Sequence, residues 1–338
     1  MLSRADGYVR GMRQLPISTR VASGIDTLLD RTVVPGYTVI GPAVRRRLRT
    51  WPDDPRPGSM AGKVSVVTGA TSGLGRATAE GLADLGGTVI LAVRDTDKGA
   101  RVLREIAATR PLATLEVRRC DVADLDDVRR FAAELAAELG DRSLDVLVHN
   151  AGAMPPERTE SPQGHEMAMA LHVLGPVLMT ELLKPQLRGG RVIFVTSGGM
   201  YTQRLRDDDP EYLKGEYKPA TSYARSKRAQ VELLPILQRQ WAFEGVDVHA
   251  THPGWADTPG VTESLPTFDK VMGPLLRDAA GGADTTVWLA ATQPAPTGGR
   301  LWHDRHPRPT QILKKTRTGE AERQHLWTWV VEQLGLDE

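Results

Sequence analysis

Between residues 64 and 251, short apolar and β-branched runs alternate with longer stretches whose apolar residues recur at helical spacing. The runs at 64–68, 88–93, 113–119, 144–149, 191–196 and 246–251 predict strands, and the stretches near 74–86, 97–109, 124–140, 163–184 and 221–244 predict helices. Such alternation predicts an α/β fold, a doubly wound parallel sheet with helices on both faces. A last strand is expected at Gly299-Arg300-Leu301-Trp302. From Glu320 to Leu336 the pattern around Trp327, Trp329 and Val330 predicts an amphipathic helix that docks on the fold or covers a cleft. The Pro-rich stretch 51–58 reads as a linker. The chain therefore divides into an extension over 1–58, a main domain over 59–310 and a helical extension over 311–338.

Composition narrows the class. A single cysteine, Cys120, excludes an internal disulfide and a cysteine-rich metal site, which suits a reducing compartment. The net charge of +1 over 338 residues gives no argument for a nucleic-acid partner. No run of 18 apolar residues exists to span a bilayer, and no signal-peptide core opens the chain. A cytoplasmic protein is expected. The first 58 residues differ from the rest: ten Arg, no Lys and five Asp give them a net charge of +5. Apolar residues in Val33-Val34-Pro35-Gly36-Tyr37-Thr38-Val39-Ile40 precede the basic run 45–49 and Trp51. Residues 33–51 either pack on the core or a subunit, with the arginines solvated, or lie peripherally on an anionic membrane.

Two constellations carry chemistry. In Thr68-Gly69-Ala70-Thr71-Ser72-Gly73-Leu74-Gly75 a glycine turn follows an apolar strand and opens a helix, the order that lets backbone N–H groups approach a pyrophosphate. In Tyr223-Ala224-Arg225-Ser226-Lys227 a phenol and an ammonium stand four residues apart, on one helical face. A phenol with an ordinary pKa of ~10 is a poor acid-base group at neutral pH, and a neighbouring cation lowers that value. Proton transfer beside a nucleotide cofactor is the chemistry to expect.

The G-x-x-x-G-x-G spacing, together with the Tyr-x-x-x-Lys pair, resembles the short-chain dehydrogenase/reductase family, and the resemblance runs from about Lys63 to Asp304. It implies a Rossmann-type domain, with Gly69, Thr71, Ser72, Gly73, Leu74 and Gly75 around the pyrophosphate. Asp121 and Val122 would meet the adenine, although Asp121 also reads as a helix N-cap. Asn150, Ala151 and Gly152 would abut the cofactor, and Pro253, Gly254 and Thr258 would contact its nicotinamide end. Ser197 would steady the substrate oxygen, Tyr223 would move the proton, and Lys227 would bind the ribose. The 25 residues between Ser197 and Tyr223 resemble the long substrate loop of the retinol-dehydrogenase-like branch. Closer likeness to one branch without a defined substrate lies in 197–200, 252–261 and 282–285.

Cofactor choice is read at the end of the second strand. Val93 stands where an NAD site carries a carboxylate, and Arg94 follows, able to pair with a 2′-phosphate or to remain a solvated arginine. NADP(H) is favoured, with NAD(H) kept open by Asp95. Arg76 either adds positive potential or is a plain first-turn residue. Two positions depart from the family pattern. His149 replaces an asparagine at a strand end, a structural change. His172 occupies the place of the asparagine that holds a relay water, and it either supports that water or packs in the core. Met154, Met200, Trp255 and Leu265 suggest a lipophilic carbonyl or alcohol substrate. The rival expectation is a cofactor-binding scaffold whose catalysis has decayed. A homo-oligomer is left open.

Overall fold

The computed structural model describes residues 15, 17–257, 270 and 272–336. The chain separates into two compact units, Met1–Asp53 and Asp54–Glu338.

In the first unit three short helices follow one another: α1 (Thr19–Arg31), α2 (Val33–Tyr37) and α3 (Ile40–Arg45). Ser18 caps α1, its hydroxyl accepting from the Val21 amide. Pro35 is tolerated in α2 because the first turn of a helix needs no N–H there. Helices α2 and α3 close tightly, since a Cβ on Gly41 would stand 2.2 Å from the Gly36 carbonyl oxygen. Arg45 is buried and holds the unit together, pairing with Asp26 at 2.7 Å and donating to the Gly36 carbonyl at 2.9 Å. No pattern at the sequence level predicted these helices. Their glycines, prolines and valines all disfavour helix locally, so packing decides.

The second unit is an eight-stranded sheet. Strand β1 (Val64–Thr68) leads through α4 (Gly73–Asp84) to β2 (Thr88–Val93), then α5 (Thr96–Thr109), β3 (Thr114–Arg119), α6 (Leu125–Leu139) and β4 (Val146–His149). The chain continues through α7 (Met167–Met169), a π turn at Ala170–Leu174 and α8 (Gly175–Leu183) to β5 (Arg191–Val195). Next come α9 (Pro219–Ala242), β6 (Asp247–Thr251), α10 (Ala279–Ala291), β7 (Arg300–His303), β8 (His306–Arg308) and α11 (Glu320–Leu334).

Spatial order is β3-β2-β1-β4-β5-β6-β7-β8, with parallel pairing throughout except for β8. The expected doubly wound, Rossmann-type sheet is present, and each predicted strand lies within a residue or two of its expected bounds. The strand order reverses between β1 and β4, which opens a crevice at their carboxyl ends. Fully buried strands such as Val146–His149 explain the unbroken apolar runs, because helices cover both faces. The missed elements are α10, whose pattern is nearly all apolar because it is buried, and β8, which is too short to show a period. Helix α11 packs against α9, with Leu326, Trp327, Val330, Val331 and Leu334 buried. Among the described residues no helix is long and apolar enough to cross a membrane.

Candidate active site

The carboxyl ends of β1 to β6 surround a cavity of about 800 Å³. At its floor the chain leaves β1 at Gly69 with φ +66°, where a Cβ would stand 2.8 Å from the Ala151 Cα. Only glycine suits that turn. A Cβ on Gly75 would meet both the Asn150 Nδ2 and the Gly69 carbonyl oxygen at 2.4 Å. Asn150 fixes the turn from β4, its Nδ2 donating to the Thr68 carbonyl at 3.0 Å, while the Asn150 and Ala151 amides both donate to Thr68 Oγ1 at 3.0 Å. Ser72 stands at the N-cap of α4 but makes no side-chain capping bond. The first amides of α4 therefore face the cavity as uncapped donors, and with the cradle at Gly69 and Gly75 they fit the pyrophosphate of a dinucleotide. Thr71, Gly73 and Leu74 line the same wall.

Beyond β2 and β3 the cavity is lined by Arg94, Lys98, Asp121 and Val122. The carboxylate of Asp121 accepts from the Ala123 amide at 3.1 Å, and the N-cap of α6 is Asp124. The capping alternative for Asp121 is thus corrected by three residues. Asp95 caps α5, accepting from the Lys98 amide at 2.9 Å. Arg94 is exposed on the rim, and the sequence reading missed Lys98 beside it. An exposed lysine in a helix carries no signal of its own, and only the fold brings it to the cavity. Arg76 pairs with Glu80 at 2.9 Å and Glu105 at 2.6 Å, so its charge is already neutralised.

On the far side stand Ser197, Tyr223 and Lys227, all lining the cavity. Ser197 follows β5 and caps the 3-10 turn over 198–202, its hydroxyl accepting from the Gly199 amide at 3.3 Å. Tyr223 and Lys227 share one face of α9, and the Lys227 Nζ lies 5.7 Å from the centroid of the Tyr223 ring. That ammonium is buried and donates to the Val195 carbonyl at 2.8 Å. Burial lowers the Lys227 pKa to about 7. Burial also raises the Tyr223 pKa, with the neighbouring Ser197 hydroxyl opposing it, which is the reverse of what the lysine alone predicts.

His172 is placed in the π turn and does not line the cavity. Its Nε2 accepts from the Ala153 amide at 3.2 Å, which leaves the ring proton on Nδ1 to donate to Ser226 Oγ at 2.7 Å. Ser226 in turn donates to the Tyr223 carbonyl at 2.9 Å. Burial and the nearby Lys227 hold the imidazole well below its ordinary pKa. Its edge meets the Tyr223 ring with centroids 5.4 Å apart at 89°. The His172 carbonyl accepts from Gln230 Nε2 at 2.6 Å, a partner absent from the sequence reading. His149 is buried against Thr180 Oγ1 at 2.9 Å, and its pKa falls to about 3.

Pro253, Gly254 and Trp255 close the cavity after β6. Arg277 braces this turn: its amide donates to the Trp255 carbonyl at 2.8 Å, and its own carbonyl accepts from the Asp257 amide at 2.7 Å. Its guanidinium pairs with buried Asp304 at 2.6 Å and reaches the Pro253 carbonyl at 3.4 Å. Thr258 and Leu265 lie outside the described residues. Met154 and Trp255 line the cavity, whereas Met200 is buried with its sulfur 3.4 Å from Arg228. The long loop before α9 is ordered by Asp209, which accepts from the Leu213 amide at 2.7 Å and pairs with Arg225 at 3.4 Å. Cys120 is buried and its thiol is pushed upward by burial, so it offers no ready nucleophile.

A glycine cradle at a strand-order reversal faces, across one cavity, Ser197 after β5 and Tyr223 and Lys227 on α9, an arrangement suited to a nucleotide-dependent oxidoreductase. The short chain dehydrogenase profile matches residues 63–206, and the chain belongs to the short-chain dehydrogenase/reductase family. It is similar to dehydrogenase/reductase SDR family member 12 of Bos taurus, 37% identical over 79% of this chain and 84% of that protein. It is also similar to retinol dehydrogenase 11 of Mus musculus, 32% identical over 69% and 75% of the two chains. Among solved structures the Pseudomonas aeruginosa RhlG/NADP active-site complex superposes with a TM-score of 0.59 at 25% identity, covering 73% of this chain and 96% of that one. The chain is an NAD(P)-dependent oxidoreductase acting on a small-molecule carbonyl or alcohol.

Proposed function

We propose that the chain prefers NADP(H) and interconverts a lipophilic carbonyl and its alcohol through Ser197, Tyr223 and Lys227. The observation that carries the reading is that Ser197, Tyr223 and the buried Lys227 ammonium line the same cavity as the glycine cradle. In the reducing direction bound NADPH supplies the hydride to the carbonyl carbon. Tyr223 gives its phenolic proton to the carbonyl oxygen, and Ser197 donates a hydrogen bond that steadies the charge developing there. The proton on Tyr223 is then restored from the Lys227 side, where an ammonium with a pKa of about 7 can release it at neutral pH. Oxidation of the alcohol runs through the same groups in reverse.

Arg94 and Lys98 supply two cations at the end of the cavity where the adenosine ribose would lie, Val93 ends β2 where a carboxylate could stand, and Asp95 is engaged in capping α5. That charge pattern favours a 2′-phosphate. Asp121 and Val122 would flank the adenine. Asn150, Ala151, Gly152, Pro253 and Gly254 would frame the cofactor, with Thr258 expected at its nicotinamide end. Met154 and Trp255 give the substrate end an apolar lining, and the likeness to retinol dehydrogenase 11 agrees with a lipophilic substrate. A reducing cytoplasm suits the single buried thiol.

The test is a screen of hydrophobic aldehydes and ketones with NADPH, followed by nicotinamide absorbance, in wild type and Tyr223→Phe. Turnover lost in the variant with NADPH binding kept supports the assignment. A variant as active as wild type overturns it, and no turnover of any substrate by wild type favours a cofactor-binding scaffold.

A further inference from the structure

The first unit is built with its charges reversed relative to an ordinary soluble helical segment. On α1, Val21 and Leu28 are seven residues apart and share one face, while Asp26 and Asp30 lie on the opposite face. Val21 and Leu28 are 51% and 63% exposed, and the two aspartates are buried. The next helices continue the arrangement: Val33, Val34, Val39 and Ile40 are all exposed. Asp26 and Asp30 are the only acidic residues between 15 and 51. With both turned inward, and Asp26 paired to buried Arg45, every fully exposed charge over this span is positive: Arg20, Arg31, Arg47 and Arg49.

A surface that is both apolar and uniformly cationic selects its partner. Nucleic acid would answer the arginines but gain nothing from valine and leucine. A second copy of this unit would bring like charges together. An anionic lipid surface answers both, since the acyl boundary takes the apolar side chains while the headgroups meet the arginines. We propose that residues 17–51 form a peripheral docking unit for anionic membranes. The inference rests on this unit alone and stands whether or not the catalytic reading holds.

The experiment is co-sedimentation of the full chain with vesicles of equimolar phosphatidylcholine and phosphatidylserine, against vesicles of phosphatidylcholine alone. Two sets of surface variants accompany it: Val21→Thr with Leu28→Ser and Val34→Thr, and Arg20→Gln with Arg31→Gln, Arg47→Gln and Arg49→Gln. Wild type should pellet with the anionic vesicles and not with the neutral ones. Each variant set should lower partitioning by about tenfold or more, and added salt should weaken wild-type binding. Circular dichroism and NADPH binding, both unchanged, show that each variant remains folded. The proposal is overturned by no binding to anionic vesicles, by equal binding to neutral ones, or by loss in the arginine set alone, which would mark a purely electrostatic surface. It is also overturned if wild type self-associates without vesicles and the apolar variants disperse it, because the face would then belong to a second copy.

Discussion

Replacing His172 by asparagine separates a structural imidazole from a catalytic one, and linkage gives the size of the effect. His172, His149 and His249 are all buried, and burial lowers each pKa: to about 3 for His149, about 4 for His249, and well below the ordinary value for His172. An unfolded histidine titrates near ~6.5, so below that pH the unfolded chain binds protons that the folded chain refuses. The folded pKa lies below the unfolded one, hence the stability is fully present above pH ~6.5 and is lost as pH falls toward the folded values. Near pH ~5 a histidine held neutral in the fold contributes a slope of up to about 1.3 kcal/mol per pH unit. His172→Asn should therefore reduce the slope of unfolding free energy between about pH 6 and 5 by up to about that amount. The assay is urea unfolding of the cofactor-free protein at several pH values, read by tryptophan fluorescence. Catalysis should change little, because both ring nitrogens are already engaged, by the Ala153 amide and by Ser226. Activity of His172→Asn is expected within about tenfold of wild type, against the ~10²–10⁴-fold loss of a missing acid-base group. An unchanged slope would mean that His172 takes up a proton in the folded protein. A collapse of turnover with NADPH binding intact would mean that the imidazole does chemistry an amide cannot. Either result refutes the reasoning.

Further outcomes follow from single contacts. Tyr223→Phe should lower kcat by about 10²-fold or more while leaving NADPH affinity near wild type, measured by fluorescence titration and steady-state kinetics. Lys227→Met should impair both steps if, as proposed, its ammonium holds the ribose and restores the proton. Arg94→Ala and Lys98→Ala should each weaken NADPH by about tenfold and leave NADH affinity unchanged, the double variant losing the preference altogether. Equal losses for both cofactors would show that these residues do not meet a 2′-phosphate. Arg277→Gln leaves buried Asp304 without its guanidinium and should cost about 3–5 kcal/mol in unfolding free energy. At temperatures where the variant stays folded, its KM for NADPH should rise more than its kcat falls, because the guanidinium contact to the Pro253 carbonyl is lost while the backbone bonds to Trp255 and Asp257 remain. A proportionate fall in kcat alone would argue against that positioning role.

The sheet was legible because its physics is local. The central parallel strands are buried on both faces, so residues such as Val64–Thr68 and Val146–His149 form apolar runs that no surface element would carry, whereas the edge strand β3 is half-exposed. The glycine turn was legible for the same reason, since Gly69 and Gly75 are demanded by backbone approach at single positions. The first unit was not legible. Its helices pack through Gly36 and Gly41 and bury Asp26 against Arg45, so the usual rule that apolar residues mark the inner face gives the wrong face there. Lys98 was missed because its importance depends on which strand stands beside which, and a sequence pattern does not state that.

His172 shows where the reading of a site from motif positions reaches its limit. The position was found, in the stretch where the helix departs from regular geometry, and the residue type was seen to be unusual. Its consequence depends on three contacts made by other segments: the Ala153 amide after β4, Ser226 on the next turn from Tyr223, and the Gln230 amide on the His172 carbonyl. Together these tie the π turn to the catalytic helix at two heights. A Cβ on Gly152 would stand 3.2 Å from the imidazole Nε2 and 3.7 Å from the Lys227 Nζ, so the two nitrogens converge on one small space. A protonated imidazole there would face the ammonium directly and would surrender its bond to Ala153. Burial first, and then the same lysine whose own charge burial already weakens, keep the ring neutral. The histidine acts on Tyr223 by fixing its helix and its ring edge, and beside it burial brings the Lys227 ammonium to a pKa of about 7.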